Sequence, residues 1–275
     1  MTDRVIEGKN LVRRHSVLEL VEHWAIALSG LLLILTGLLE LPIGKRYYVT
    51  EIPWFSWSGD FYTTLTIHYI AAVVFVAASF FHVFYHGLLG EGGLLPRRGD
   101  LKESIKVIKT FFGKGDEPPF EKYLPEQRLA YMGMAFIIAM LIISGLVKTY
   151  KNLLDPQLSY AVTSAATWIH NIFFVLFIAA FIAHIAALVI KPNRPMVRGI
   201  FTGTIRLDYA RGRHSLWMAA LERTKTPSTD DGRGGEREEV AGTGARKDGH
   251  VLPGEKPDPG NETGSERTND KKEEL

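Results

Sequence analysis

The chain contains no cysteine among its 275 residues. This absence excludes disulfides, thioether-linked c-type haem, cysteine-ligated iron–sulfur clusters and cysteine zinc sites within the chain. A redox centre held by this chain would therefore depend on histidine, methionine, tyrosine or carboxylate ligands.

Aromatic residues are missing from the last part of the chain, because no Phe, Trp or Tyr occurs from Glu222 onwards. This segment is dominated by Gly, Glu, Asp, Lys, Arg, Thr and Pro. Such a composition buries too little apolar surface to offset the entropy lost when a chain becomes ordered. Residues 222–275 are therefore expected to form a disordered tail, and His250 within it is expected to have no cofactor role.

Long apolar runs dominate the remainder, and four of them are long enough to cross a hydrocarbon layer of about 30 Å as helices. The sequence therefore predicts an all-α integral membrane protein, with a four-transmembrane-helix bundle in residues 18–190 and an N-terminal arm in residues 1–17. The first run lacks a clear cleavage site at its end, so we expect an uncleaved membrane helix. The predicted spans are Leu18–Leu41, Phe61–Gly87, Leu129–Val147 and Ala161–Ile190.

Two polar segments have helical spacing of their apolar residues. Residues 191–221 combine such spacing with several cations, which is typical of a helix in the membrane interface or of a docking segment. The stretch Leu101–Phe112, between spans two and three, favours a helix along the membrane surface.

The distribution of basic residues predicts the orientation. They concentrate in the N-terminal arm, in the loop between spans two and three, and in the segment after span four. Because basic loops stay on the cytoplasmic side, both termini of this multi-pass protein are expected in the cytoplasm, with the bundle in the cell membrane. The two other connections carry only Lys45, Arg46, Lys148 and Lys151.

Histidines occur inside these apolar runs at a repeated spacing. His170 and His184 are 14 residues apart, as are His68 and His82. On a helix this spacing advances about 21 Å and returns to within about 40° of the same face. Each helix would then present one imidazole towards the outer side and one towards the cytoplasmic, inner side. Ionisable residues at membrane depth are costly and therefore indicate function.

Two stacked b-type haems explain this arrangement, because a six-coordinate haem iron takes one imidazole from each of two facing helices. His68 and His170 would form the outer pair. At the inner level His184 has two candidate partners, His23 in span one and His82 in span two. The alternatives are packing histidines in a haem-free membrane anchor, or a proton path lined by imidazoles.

The chain resembles a known family at several of these positions. His23-Trp24, His68, the pair His170/His184 and the stretch 122–131 are similar to the cytochrome b (gamma) subunit of membrane-bound respiratory formate dehydrogenases. Cytochrome b subunits of nickel–iron hydrogenases and thiosulfate reductases are related, and the resemblance covers about residues 13–221. It implies that His68 and His170 bind the outer haem, and that His23 and His184 bind the inner one. His82 is a departure from this family, and its spacing from His68 is that of the ligands in bc-type cytochromes, which leaves the fourth ligand open. His23 is favoured because His23-Trp24, at the cytoplasmic end of span one, matches the nearer family.

The resemblance also implies partners and a function. We expect an electron-transfer subunit that receives electrons from an iron–sulfur subunit and a catalytic subunit at the outer face. It would reduce a membrane quinone near the inner face, and it would bind no nucleic acid. The alternatives are a quinol-oxidising anchor of a thiosulfate or polysulfide reductase, and the cytochrome b of a membrane hydrogenase. Glu22, beside His23, is either a proton relay to the quinone or an interfacial carboxylate.

Overall fold

The computed structural model describes residues 3–41, 48–111, 118–154 and 157–225. Its helices are α1 (Val17–Glu40), α2 (Phe61–Leu88), α3 (Asp100–Phe111), α4 (Pro125–Leu153), α5 (Tyr160–Val189), α6 (Arg194–Thr202), α7 (Leu207–Arg213) and α8 (Ser215–Lys225). Its strands are β1 (Arg4–Ile6), β2 (Leu11–Arg13) and β3 (Thr204–Arg206). The predictions that involve Lys45, Arg46, Phe112 and the tail beyond Lys225 fall outside the described residues.

Four helices of the described chain, α1, α2, α4 and α5, are long and apolar enough to span a membrane, which confirms the predicted bundle. With at least 24 residues each, they are longer than the roughly 20 that a span requires. Side-chain caps set two of their starts. The Ser16 hydroxyl accepts from the Glu19 backbone N–H in a capping box, and the Asp60 carboxylate accepts from the Thr63 N–H.

The four helices pack as two close pairs, α1 with α2 and α4 with α5, and α1 also touches α5. Gly30 of α1 lies at the centre of the bundle. A Cβ there would stand 3.3 Å from the ring of Phe75 in α2 and 3.4 Å from that of Phe177 in α5. The two rings meet edge to face at 6.0 Å. This aromatic contact lies between two groups of polar side chains, one towards the outer end of the bundle and one towards the inner end.

The outward faces of the spans are apolar and exposed. Val73 of α2 and Val175 of α5, for example, are 70% and 62% exposed. A water-soluble fold would bury side chains of this kind, whereas lipid tails solvate them without cost. The chain is therefore a multi-pass membrane protein.

A small sheet accompanies the helices, which the purely helical prediction did not include. β2 lies between β1 and β3 in antiparallel pairing, with Val12 opposite both Val5 and Ile205. Val12 and Ile205 are fully buried against Trp217 and Met218 of α8. The N-terminal arm and the segment after α5 thus form one folded unit, which we call the cap.

The cap also includes the chain that leads into α4. The Leu216 N–H donates to the Phe120 carbonyl at 3.2 Å, and the Lys122 ammonium donates to Asp3 at 2.9 Å. The three basic segments of the sequence therefore meet at one end of the bundle. Gly203 makes the turn into β3 with a positive φ of 71°, where a Cβ would stand 2.6 Å from the His15 carbonyl oxygen.

Candidate functional site

The two histidines predicted for the outer level, His68 of α2 and His170 of α5, each have a hydroxyl partner on another span. The Nδ1 atom of His68 lies 2.8 Å from the Thr36 hydroxyl of α1. The Nδ1 atom of His170 lies 3.0 Å from the Ser144 hydroxyl of α4. Each of the four spans therefore contributes one polar side chain to this level.

The two hydroxyls determine which nitrogen of each ring carries the proton. The Thr36 and Ser144 hydroxyls donate to backbone carbonyls of their own helices, at 2.8 Å and 2.6 Å respectively. Because each hydroxyl proton is used in this way, each oxygen accepts from the neighbouring imidazole Nδ1–H. Both histidines therefore keep a lone pair on Nε2, the form in which imidazole binds a metal.

Close backbone approach also shapes the outer level. A Cβ at Gly145 of α4 would stand 3.4 Å from Cε1 of His170. A larger residue would press on the ring, so this glycine allows α4 to lie against the imidazole. Gly145 is thus one of the small residues that let membrane helices approach each other closely.

The inner level contains His23 of α1 and His184 of α5, two spans that contact each other. Trp24 follows His23, and the two rings meet edge to face at 5.7 Å. The Trp24 indole N–H donates to the Ile200 carbonyl at 3.1 Å, and its ring lies 5.2 Å from that of Phe201. The inner imidazoles therefore stand where the bundle meets the cap.

His82 belongs to a different group of side chains. Its Nδ1 atom pairs closely with the Glu22 carboxylate, and its Nε2 atom lies 2.8 Å from the Tyr131 hydroxyl. The other Glu22 oxygen lies 3.3 Å from Nε2 of His86. The Nδ1 atom of His86 is 2.8 Å from the Glu91 carboxylate. Both ring nitrogens of His82 thus have protein partners, and Glu22 is buried.

Basic residues of the cap are held by protein groups. Arg14 is only 2% exposed, and its guanidinium lies 5.4 Å from the ring centres of both Tyr123 and Trp217. It also donates to the Lys122 carbonyl. Burial lowers the pKa of Arg14 below its ordinary value. His214, which is fully buried, has its Nδ1 atom 2.7 Å from the Glu121 carbonyl oxygen.

Several of these residues were not identified from the sequence. Thr36, Ser144 and Tyr131 act through contacts between helices, which sequence spacing does not reveal. His86 lies one helical turn after His82, and this i, i+4 spacing was a usable signal for a shared face. His214 lies outside the apolar runs. The cost of an ionisable residue inside a membrane therefore does not single it out in the sequence.

Comparisons with known proteins agree with this architecture. A family model described as prokaryotic cytochrome b561 matches residues 14–203. The F420 non-reducing hydrogenase II cytochrome subunit of Methanosarcina mazei is 29% identical over 124 residues. That match covers 41% of this chain and 42% of the relative, so the chain aligns with less than half of the relative's length.

Proposed function

Because the chain belongs to the prokaryotic cytochrome b561 family, we propose that it is the cytochrome b subunit of a membrane oxidoreductase and holds two haems. The family implies b-type haem, which supplies one-electron redox chemistry when it is bound. The observation that carries the proposal is the presence of two imidazole pairs at two levels of one bundle.

The outer level fits a haem by its chemistry. His68 and His170 come from facing helices, and the Thr36 and Ser144 hydroxyls hold both rings with Nε2 unprotonated. A six-coordinate haem iron takes two such nitrogens. We therefore assign His68 and His170 as the residues that would hold the outer haem. The hydroxyls keep the rings oriented and fix the tautomer that coordinates iron.

At the inner level we assign His23 and His184. The surroundings of His82 support this choice, because Glu22 and Tyr131 engage both of its ring nitrogens. Iron ligation by His82 would require at least one of these contacts to break. His23 has Trp24 as an aromatic neighbour and lies on a span that contacts α5, whereas the side-chain contacts of Glu22 in the described chain go to His82 and His86.

The positions of the two levels suggest a direction of transfer. The cap gathers the basic segments of the chain, and basic segments face the cytoplasm. On this basis the inner level and both termini are cytoplasmic, and the outer level faces the opposite side. The chain would accept electrons at its outer face from an iron–sulfur subunit and its catalytic subunit. It would deliver them to a quinone near the inner face.

The identity of the partner complex has two candidates. The resemblance of the histidine pattern and of residues 122–131 supports a formate-dehydrogenase-like complex. The name of the M. mazei relative, a hydrogenase cytochrome subunit, supports a hydrogenase-type partner. Because the similarity to this relative extends over 124 residues rather than over short motifs, we favour the hydrogenase-type complex.

Redox titration of the purified chain, followed by its haem absorption bands, tests the proposed ligands. His68→Ala should remove the outer centre and His184→Ala the inner one, each leaving one titrating component. His86→Ala, which also removes an imidazole from α2, serves as the control and should retain both. Two unchanged components in His68→Ala would contradict the outer assignment.

A further inference from the structure

A second group of candidate metal ligands consists of side chains that belong to neither imidazole pair. Glu22, His82 and His86 place one carboxylate oxygen and two imidazole nitrogens within 4.8 Å of one another. The carboxylate comes from α1 and both imidazoles come from α2. The electron-transfer function described above uses none of these three side chains.

We propose that Glu22, His82 and His86 bind a divalent first-row transition-metal ion, such as Zn²⁺. Two imidazoles and one carboxylate form a ligand set that suits such ions, with the remaining positions open to water. Because His82 and His86 are four residues apart, α2 presents both rings on one face. Their ring centres are 4.7 Å apart.

The separations of the ligand atoms suit a single ion. Tetrahedral coordination with bonds of about 2.1 Å places ligand atoms roughly 3.4 Å apart. The Glu22 oxygen and the Nε2 atom of His86 are 3.3 Å apart. The second Glu22 oxygen is closer to Nδ1 of His82, so this contact would lengthen when the ion binds.

The imidazole nitrogens that face away from Glu22 each have an oxygen atom as partner. Nδ1 of His86 lies 2.8 Å from the Glu91 carboxylate, and Nε2 of His82 lies 2.8 Å from the Tyr131 hydroxyl. Metal-binding histidines usually pair their second nitrogen with a carboxylate or another oxygen, which orients the ring and makes it a better ligand. Glu91 and Tyr131 are in position for this role.

The burial of the Glu22 carboxylate is a further reason to expect a bound ion. The Glu22 side chain is 4% exposed, and the side chains of His82 and His86 are 25% and 18% exposed. A buried carboxylate is costly unless a positive charge compensates it. A divalent ion would neutralise Glu22, and the more exposed histidine edges would provide a route of entry. The alternative is a direct hydrogen-bonded cluster without an ion.

Zinc binding to the purified, haem-containing full chain tests this proposal. After removal of metals with EDTA, the protein is titrated with Zn²⁺ by calorimetry, and bound zinc is counted by mass spectrometry. Wild type should bind about one Zn²⁺ tightly per chain. His86→Gln and Glu91→Gln should each weaken zinc binding by about tenfold or more. The haem spectrum of both variants should be unchanged, because neither residue belongs to an imidazole pair.

His15→Gln is the matched control. His15 forms a similar local pair with Glu19, at 3.9 Å, and neither residue of that pair belongs to the three candidate ligands. This variant should bind zinc as wild type does. Equal binding by wild type and His86→Gln, or equal loss in His15→Gln, would overturn the proposal.

X-ray absorption at the zinc edge gives a measurement that needs no variant. Zinc-loaded wild type should show nitrogen and oxygen neighbours at about 2.0–2.2 Å, with the outer-shell scattering of two imidazoles. A spectrum without imidazole scattering would exclude this site even if zinc binds elsewhere.

Discussion

At His68 and His170 the decisive feature is the hydroxyl behind each ring. Thr36 and Ser144 direct their own protons to backbone carbonyls and accept from Nδ1–H. Each imidazole is thereby limited to one tautomer and one orientation before any metal is bound. The presence of these histidines could be read from the sequence. Their hydroxyl partners could not, because Thr36 and Ser144 lie on other helices.

Thr36→Val tests this role of the hydroxyl. Valine has nearly the same shape but cannot accept from Nδ1–H, so His68 loses its orientation. We expect about tenfold weaker retention of the outer haem, or a shifted potential for it, with the inner haem unchanged. Haem content and redox titration measure both effects.

Thr66→Val is the matched control for this substitution. Thr66 lies exposed on α2 and donates to the Tyr62 carbonyl, and no hydrogen bond in the described part of the chain joins it to an imidazole. Its replacement should leave both haems unchanged. Equal effects of the two substitutions would show that Thr36 acts only through general packing.

His23 and His82 were the alternatives that the sequence left open for the inner level. We expect His23→Ala to lose the inner haem, because His184 would have no second imidazole beside it. His82→Ala should keep both haems, with at most a shifted potential. Redox titration of the two variants measures the difference. The reverse result would place both haems between α2 and α5.

Among the elements, the cap was the least predictable from the sequence. The spans were identified because apolar runs of that length are rare outside membrane-spanning helices. β1 and β2 have only three residues each, too few for an alternating pattern to be recognised. The partner strand β3 lies nearly two hundred residues later, so no local signal links it to the arm.

The buried His214 makes the stability of the cap depend on pH. Burial, and then the positive charge of Arg14, lowers the pKa of His214 to about 4. In the opened cap the same ring would take up a proton near its ordinary pKa of about 6.5. The stabilisation is therefore fully present above pH 6.5 and is lost as the pH falls towards 4. Between pH 7 and pH 5 the loss is about 2 kcal/mol.

Hydrogen exchange of the cap amides at pH 7 and pH 5, corrected for intrinsic exchange rates, measures this effect. Opening should become easier at pH 5 in wild type. His214→Asn retains a donor for the Glu121 carbonyl but does not titrate, so its opening should depend much less on pH. The same pH dependence in both proteins would rule out His214 as the cause.

At the scale of the whole molecule, the cap brings the two ends of the described chain together. Pairing of β2 with β3 places the arm and the segment after α5 at one end of the bundle. The basic residues predicted this common side from the sequence, but not the contacts that join the two segments. The contact between α1 and α5 could not be predicted either, because no local sequence signal links these two spans.

Reporter fusions test the orientation. A fusion after Leu221 should be active only with a cytoplasmic reporter, since the cap gathers the basic segments. A fusion after Lys151, which lies at the opposite end, should give the opposite result. Activity of an external reporter at Leu221 would reverse the assignment of every histidine level.

The number of haems per chain tests the central claim most directly. A pyridine haemochrome assay on the intact purified protein should give about two b-type haems per chain, because each imidazole pair serves one iron. Acid–acetone should extract all of the haem, since the chain has no cysteine to form a thioether bond. A value of about one haem per intact chain would contradict the account, because one of the two imidazole pairs would then bind no iron.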